Sequence, residues 1–313
     1  MTSWQTHPWV ARAEHEIRFA TAGGPLRDPE QILGFARHAE ELGFDAVWYN
    51  DHPMRLLDCF SVLSAVAAVT TRLRLFPLVA CVYYRSAAHT ARQAADVDRL
   101  SGGRLVLGLG AGDDEAEFRH LGAPFPSTGQ RQAELEQHLA AVREYWGDGT
   151  GDGFGDQMRF GPVQQAGIPV LIAGGGEKVT LKQVARLADM SNFGPHEWSG
   201  AAYDVDDVAR KLAVLKRHCD EIGRPYDSVL RSHYSPLVVL SQDRDRLADK
   251  VAAIPPNPRE HFIPLVATPA EAVEHFKALV GAGMRYFLAN TRQPDSETVE
   301  LLAEYVIPRV QNS

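Results

Sequence analysis

The sequence has little cysteine, no excess of positive charge and no long apolar run, and each shortage removes a class of protein. Only three cysteines occur in 313 residues, Cys59, Cys81 and Cys219, far apart and without a C-x-x-C pair. Neither a disulfide framework nor a structural zinc site is expected, and a reducing cytoplasm fits. Lys and Arg total 32 against 40 Asp and Glu, a formal net charge of −8, so there is no overall attraction to nucleic acid or to an anionic membrane. The longest apolar stretch, residues 60–69, is too short to span a bilayer, and the N-terminal residues mix Trp, His, Pro and charges instead of forming a targeting segment. A soluble protein that keeps its own N-terminus is expected. Metal-binding spacing is missing too. Asp148, Asp152 and Asp156 do not follow a calcium-loop pattern, and His89, His120, His138, His218, His261 and His275 form no H-x-x-x-H pair.

What is present is the composition of a globular protein, 45% hydrophobic and 23% charged. Apolar runs at 17–21, 44–49, 73–80, 104–109, 168–173, 190–193, 230–240 and 284–290 read as strands. Between them, helical spacing predicts helices, among them one opened by Asp28-Pro29-Glu30 and closed at Gly43, and others over 60–69, 87–100, 130–146, 178–188 and 206–222. Residues 147–161, dominated by Gly and Asp, read as a mobile loop. Eight strands, each apolar on both faces and each followed by a helix, predict an α/β protein whose parallel sheet is covered by helices. With no second composition regime, a single (β/α)₈ TIM barrel domain over residues 1–313 is preferred to an open sheet, so function is expected where strands end and loops begin.

Asn50-Asp51-His52 follows the second strand and places a carboxylate and an imidazole at the barrel mouth, where proton exchange near neutral pH is possible. The alternative is that Asp51 caps the following turn and His52 satisfies it. Pro77 lies inside the third strand and predicts a bulge there, and Cys81 beyond it reads as a small buried hydrophobe. After the fourth strand, Gly108, Gly110 and Gly112 alternate before Asp113. They suit either a closely approaching planar or phosphorylated ligand or tight turns, and Gly112 comes one residue early for a dinucleotide fingerprint. After the fifth, Gly174-Gly175-Gly176-Glu177-Lys178 leads into a helix, so several backbone N–H groups, the helix dipole and Lys178 favour one anion, a phosphate cradle without the P-loop pattern of ATP enzymes. A flexible strand–helix turn is the bland alternative. Asn192-Phe193-Gly194-Pro195-His196 forms another polar loop, while His233 and Tyr234 lie in the seventh strand with their facing open.

Taken together, residues 44–52, Leu100-Ser101-Gly102-Gly103-Arg104 with 107–112, Glu115-Ala116-Glu117-Phe118 with Gly122, 168–181, and Ala188-Asp189 with Asn192-Phe193-Gly194 resemble the bacterial luciferase-like monooxygenase superfamily of flavin- or deazaflavin-dependent barrel enzymes. The likeness covers nearly the whole chain. The Gly-Gly-Gly-Glu-Lys cradle and the Asn-Phe-Gly after Ala-Asp look most like the branch that uses coenzyme F420. The resemblance implies a luciferase-like barrel with its cofactor ring in the mouth, its phosphate on residues 174–178, and a non-proline cis peptide at Leu78-Val79 behind the ring. It further implies Asn50, Gly110, Gly112, Asp113 and Asn192 among the cofactor-binding residues, and Asp51 and His52 beside the reactive ring atoms, with His52 as acid or base for hydride transfer. Leu56 and Asp113 stand where the F420-dependent sugar-phosphate dehydrogenases have Trp and Glu, which argues against sugar-phosphate oxidation.

Three functions follow. The first is an F420-dependent oxidoreductase moving hydride between the deazaflavin and a small organic substrate. The second is an FMN-dependent two-component monooxygenase fed reduced flavin by a partner reductase. The third is a flavin-binding barrel without turnover. A homodimer is expected by resemblance, and substrate identity lies beyond the sequence.

Overall fold

The computed structural model describes residues 4–147, 161–197, 200–254 and 262–312. The expected mobile loop at 147–161, with Asp148, Asp152 and Asp156, lies almost wholly outside the described residues, as does His261. In chain order the strands are β1 (Arg18–Ala22), β2 (Ala46–Tyr49), β3 (Arg74–Pro77), β4 (Ala80–Cys81), β5 (Leu107–Gly110), β6 (Val170–Ala173), β7 (Met190–Phe193), β8 (Leu230–Ser235), β9 (Val238–Leu240), β10 (Leu265–Ala267) and β11 (Tyr286–Asn290). The helices are α1 (Pro8–Ala11), α2 (Pro29–Glu41), α3 (Cys59–Val69), α4 (Ala87–Ser101), α5 (Glu115–His120), α6 (Thr128–Trp146), α7 (Thr180–Leu187), α8 (Val205–Glu221), α9 (Arg244–Ala252), α10 (Pro269–Gly281), α11 (Ser296–Leu301) and α12 (Ile307–Gln311).

The main sheet runs β3-β2-β1-β11-β8-β7-β6-β5-β4, with every pairing parallel. β3 and β4 are the two halves of one stave, and a parallel bridge between Leu75 and Leu105 joins β3 to the β5 side, so the ring closes. The expected (β/α)₈ barrel is therefore present. Two expected strands are interrupted. The run 73–80 breaks after Pro77, which has no N–H to give the ladder. The run 230–240 breaks at Pro236, and its second half, β9, leaves the barrel to pair with β10 in a separate two-stranded sheet.

Side chains alternate along each stave. One face supplies Phe19, Val47, Leu75, Leu107, Leu109, Ile172, Phe193 and Phe287 to the layer under the helices. The other supplies Ala20, Ala46, Trp48, Phe76, Leu171, Met190, Leu230, Tyr286 and Leu288 to the barrel interior. The helices begin and end on local chemistry. Asp28 and Asp58 accept the N–H groups of Gln31 and Ser61 at the starts of α2 and α3, Ser127 and Gln130 form a capping box on α6, and Gly102 closes α4 at φ 68°.

The N-terminal end of the barrel is plugged. α1 inserts Trp9 and Val10, both buried. Arg18, 2% exposed, donates to the Trp9 carbonyl oxygen at 2.8 Å and lies between the rings of Trp9 and Tyr286. Asp45 stands 3.7 Å from Arg18 Nη1 and accepts from the Tyr286 hydroxyl at 2.8 Å and from Trp9 Nε1 at 3.3 Å. Arg74 covers the same Trp9 ring.

Candidate active site

The residues at the C-terminal ends of the staves converge on the barrel mouth. Asn50 Nδ2 donates to the Leu78 carbonyl oxygen at 3.0 Å and joins the end of β2 to the break between β3 and β4. The peptide bond in that break, Leu78-Val79, is cis, at the position the resemblance implied. Glycines on β5 make room for it. A Cβ on Gly108 would overlap the Pro77 carbonyl oxygen, and one on Gly110 would lie 2.5 Å from Val79 Cγ2. At Gly112, φ 75°, a Cβ would meet Phe118 and the Cys81 sulfur at 2.6–2.7 Å. The space left by these alternating glycines is thus filled by the protein's own chain, which favours the packing reading of them over close approach of a ligand.

Asp51 and His52, adjacent in sequence, are drawn into separate networks. Asp51 is buried, accepts from Arg85 at 2.6 and 2.9 Å and from the Cys81 N–H at 3.1 Å. Arg85 continues to Asp58, the cap of α3, at 2.5 Å. Burial works against the Arg85 charge, yet Asp51 and Asp58 raise its pKa on balance. Asp51 therefore anchors the mouth to the following loops, and its carboxylate bonds to Arg85 and Cys81 instead of to His52 or the turn after it. The capping role considered for it belongs to Asp58.

His52, 35% exposed at the side chain, places Nδ1 3.0 Å from Glu117 Oε2 on α5. Glu117 is 3% exposed and also accepts from the Tyr84 hydroxyl at 3.1 Å and from Arg55 Nε at 3.2 Å. Burial alone raises the Glu117 carboxyl, but the hydrogen bond and charge of His52, then Arg55 and Tyr84, hold it below its ordinary range. Burial, with Cys81 and Glu117 adding, pushes the Tyr84 hydroxyl well up, so it remains a donor. Arg55 also pairs with Asp114, which caps α5 by accepting from the N–H groups of Ala116 and Glu117.

Asp113, shortly after β5, is exposed. Desolvation by the surrounding protein raises its pKa, the charges of Asp114 and Glu117 add to that, and His52 and His196 oppose it. His196 stacks on Phe262 across a short antiparallel bridge. Of the two residues whose facing was open, His233 is buried against His275 and Phe287 in the helical layer, its pKa lowered to about 3 by burial. Tyr234 faces inward against Trp48.

The glycine cradle takes a different shape from a simple helix entry. α7 begins at Thr180, two residues later than expected, because the Leu181 N–H returns to the Gly176 carbonyl oxygen at 2.9 Å and closes a turn first. Gly174 adopts φ 124° and gives its N–H to the Asn192 carbonyl oxygen at 2.8 Å. Among the described residues, no backbone–backbone bond uses the N–H of Gly175, Gly176, Glu177 or Lys178. Lys178 is exposed, whereas Glu177 is turned to α8, its carboxylate paired with Arg210 and near Lys211 and its carbonyl oxygen held by His218. Lys211, buried, donates to the Gly175 carbonyl oxygen at 2.9 Å, and Gly200 packs directly on Gly175. Asn192, buried on β7, donates to Ser232 at 3.0 Å. The donors left over suit an anion, so the cradle reading fits, with Glu177 securing the loop through α8. Sequence reasoning did not single out Arg55, Tyr84, Arg85, Gly200 or Lys211, and it met Glu117 only inside a motif. No spacing rule connects Glu117 to a histidine 65 positions earlier.

No group of three or more His, Cys, Asp and Glu among the described residues is placed to hold a metal ion, and none of their helices is long and apolar enough to cross a membrane. A closed parallel barrel whose C-terminal mouth carries a part-exposed histidine and a glycine loop with N–H groups outside the backbone ladder has the layout of a barrel that places its functional groups at the strand ends. The family model for luciferase-like monooxygenases matches residues 9–301, and the chain belongs to that family of oxidoreductases. It is 29% identical over 236 residues to 5,10-methylenetetrahydromethanopterin reductase of Methanolobus tindarius, covering 65% of this chain and 71% of the relative. F420-dependent glucose-6-phosphate dehydrogenase of Amycolatopsis mediterranei is 25% identical over 90% of this chain and 95% of its own length. Pyrimidine monooxygenase RutA of Variovorax paradoxus is 31% identical over 54% of this chain and 51% of its own. Among solved structures, an F420-dependent secondary alcohol dehydrogenase in complex with an F420–acetone adduct superposes with a TM-score of 0.77 at 18% identity, over 94% of this chain and 99% of that one.

Proposed function

We propose that the protein is an F420-dependent oxidoreductase that moves a hydride between the deazaflavin and a small organic substrate. The observation that carries this reading is the His52 ring, held at the barrel mouth by Glu117 with part of its edge open to solvent. Asn50 and the Leu78-Val79 segment form a wall beside it. The N–H groups of residues 175–178 would hold the phosphate, and Lys178 and Lys182, both exposed, follow the cradle where a longer anionic tail would run. When bound, the deazaflavin supplies the hydride chemistry. The chain's own part is to orient the partners, limit water and let His52 accept or return a proton. The likeness to an F420-dependent dehydrogenase over 90% of the chain supports the same reading.

The match to a pyrimidine monooxygenase supports a second reading, an FMN enzyme fed by a reductase. FMN ends at one phosphate and has no use for cations beyond the cradle. Titrating the protein with F420 and with FMN, followed by the fluorescence of each, separates the two. Tight F420 binding with weak FMN binding is expected, the reverse transfers the protein to the oxygenase reading, and failure of both sinks the cradle. His52→Ala is expected to lower kcat by about 10²–10⁴-fold, and unchanged turnover would leave a barrel in which His52 handles no proton.

A further inference from the structure

We propose that Glu117 is a positioning residue that fixes the neutral His52 ring with its hydrogen on Nδ1 and so presents Nε2 to the mouth as the nitrogen that takes a proton. This rests on the reading of His52 as the proton partner. The argument starts from what each group can do. An ionised carboxylate only accepts hydrogen bonds, so the 3.0 Å contact between Glu117 Oε2 and Nδ1 requires the hydrogen on Nδ1. A neutral imidazole carries one such hydrogen, which leaves the lone pair on Nε2. The opposite tautomer would set a nitrogen lone pair against a carboxylate oxygen.

The surroundings of Glu117 keep it in the ionised form. Its side-chain partners are donors: Oε2 receives His52 and Tyr84, and Oε1 receives Arg55. Arg55 supplies the positive charge on this buried carboxylate and neutralises Asp114 at the same time. Tyr84 is itself oriented, its ring meeting Phe118 edge to face at 5.4 Å. Once His52 takes a proton, the new cation lies beside the Glu117 carboxylate. For an alcohol substrate the balance is simple. A bound deazaflavin would supply the acceptor for the hydride of the alcohol carbon, and Nε2 would take the hydroxyl proton as the carbonyl forms and return it in the reverse direction.

The test is a long-range ¹H–¹⁵N NMR spectrum of the histidine-labelled protein without cofactor, with the His52 ring assigned by its loss in His52→Ala. The parent at neutral pH is expected to show the Nδ1–H tautomer. Glu117→Gln, whose amide can donate as well as accept, is expected to populate Nε2–H and to lower kcat with F420 by about 10²-fold or more, with KM changed little. Tyr84→Phe removes one donor and leaves Arg55, so it is expected to keep the parent tautomer and lose less than about tenfold in kcat. An Nε2–H ring in the parent overturns the proposal even if Glu117→Gln fails to fold, and so does a tautomer unchanged by that substitution. Full turnover in His52→Ala, with the tautomer still dependent on Glu117, would overturn the proton role alone and leave the positioning intact.

Discussion

At the N-terminal end of the barrel, Arg18, Arg74 and Asp45 are enclosed by Trp9 and Tyr286, whereas at the C-terminal end His52, Asp113 and His196 surround a mouth open to solvent. Both ends gather charges, but the first closes over them and the second leaves some available. In the plug, Arg18 is held by a carbonyl oxygen, two ring faces and a carboxylate 3.7 Å away, and its Nε and Nη1 are enclosed without a hydrogen-bond partner among the described residues. In the mouth, the bonds of Asp51, Asp58 and Arg85 are spent on holding loops in place, and His52 is the group they leave with an open edge. The comparison teaches where to look for each role: fold strength at the plug, chemistry at the mouth.

That division can be broken by substitution. The largest effect is expected from Asp45→Ala, which strands buried Arg18 without its carboxylate and should cost about 3–5 kcal/mol in denaturant unfolding. Cofactor affinity of the folded protein should not change, and a loss of stability below about 1 kcal/mol would remove the plug's special standing. A smaller, opposite effect is expected at Gly200, φ 78°, where a Cβ would fall 2.6–2.8 Å from the backbone of Gly175. Gly200→Ala should displace the cradle and weaken binding of the phosphate-bearing cofactor by about tenfold, roughly 1.4 kcal/mol, as read by fluorescence titration. Unchanged binding would place the phosphate elsewhere.

The smallest effect sharpens the picture of the mouth itself. The Asp113 carboxyl has a raised pKa in the fold, so its protonated form stabilises the fold below the ordinary carboxyl range, and that contribution is lost as pH rises through the folded value. At neutral pH the ionised Asp113 is thus a cost. Its contact with solvent keeps the cost small, and Asp113→Asn should raise Tm by about 2 °C near pH 7 with no gain in acid. An equal gain at both pH values would mean that charge is not the cause.

Much of this arrangement is written locally. Short apolar runs between amphipathic helices are enough to read a parallel barrel, and the polar residues directly after β2 and the glycines after β6 are enough to locate the mouth. Pro77 marked the interrupted stave, although Pro236, which ends β8 in the same way, was read through. What cannot be read locally is partnership. Asp51 and His52 look like a pair because they are neighbours, yet they bond to Arg85, in the loop before α4, and to Glu117 on α5, brought near by closure of the barrel. Likewise, alternating glycines look the same whether the space they leave admits a ligand or, as with Gly110, the Val79 side chain.

The fit of Gly108 and Gly110 against Pro77 and Val79 bears on how such an enzyme can diverge. Any side chain added at either glycine collides with the neighbouring stave, so the rear of the mouth tolerates no variation from β5. New substrate preferences must then arise from the loops that face it, such as those carrying Leu56, Asp113 and His196. A mutagenesis library confined to those loops would explore selectivity while the packed wall of β5 against Pro77 and Val79 stays constant.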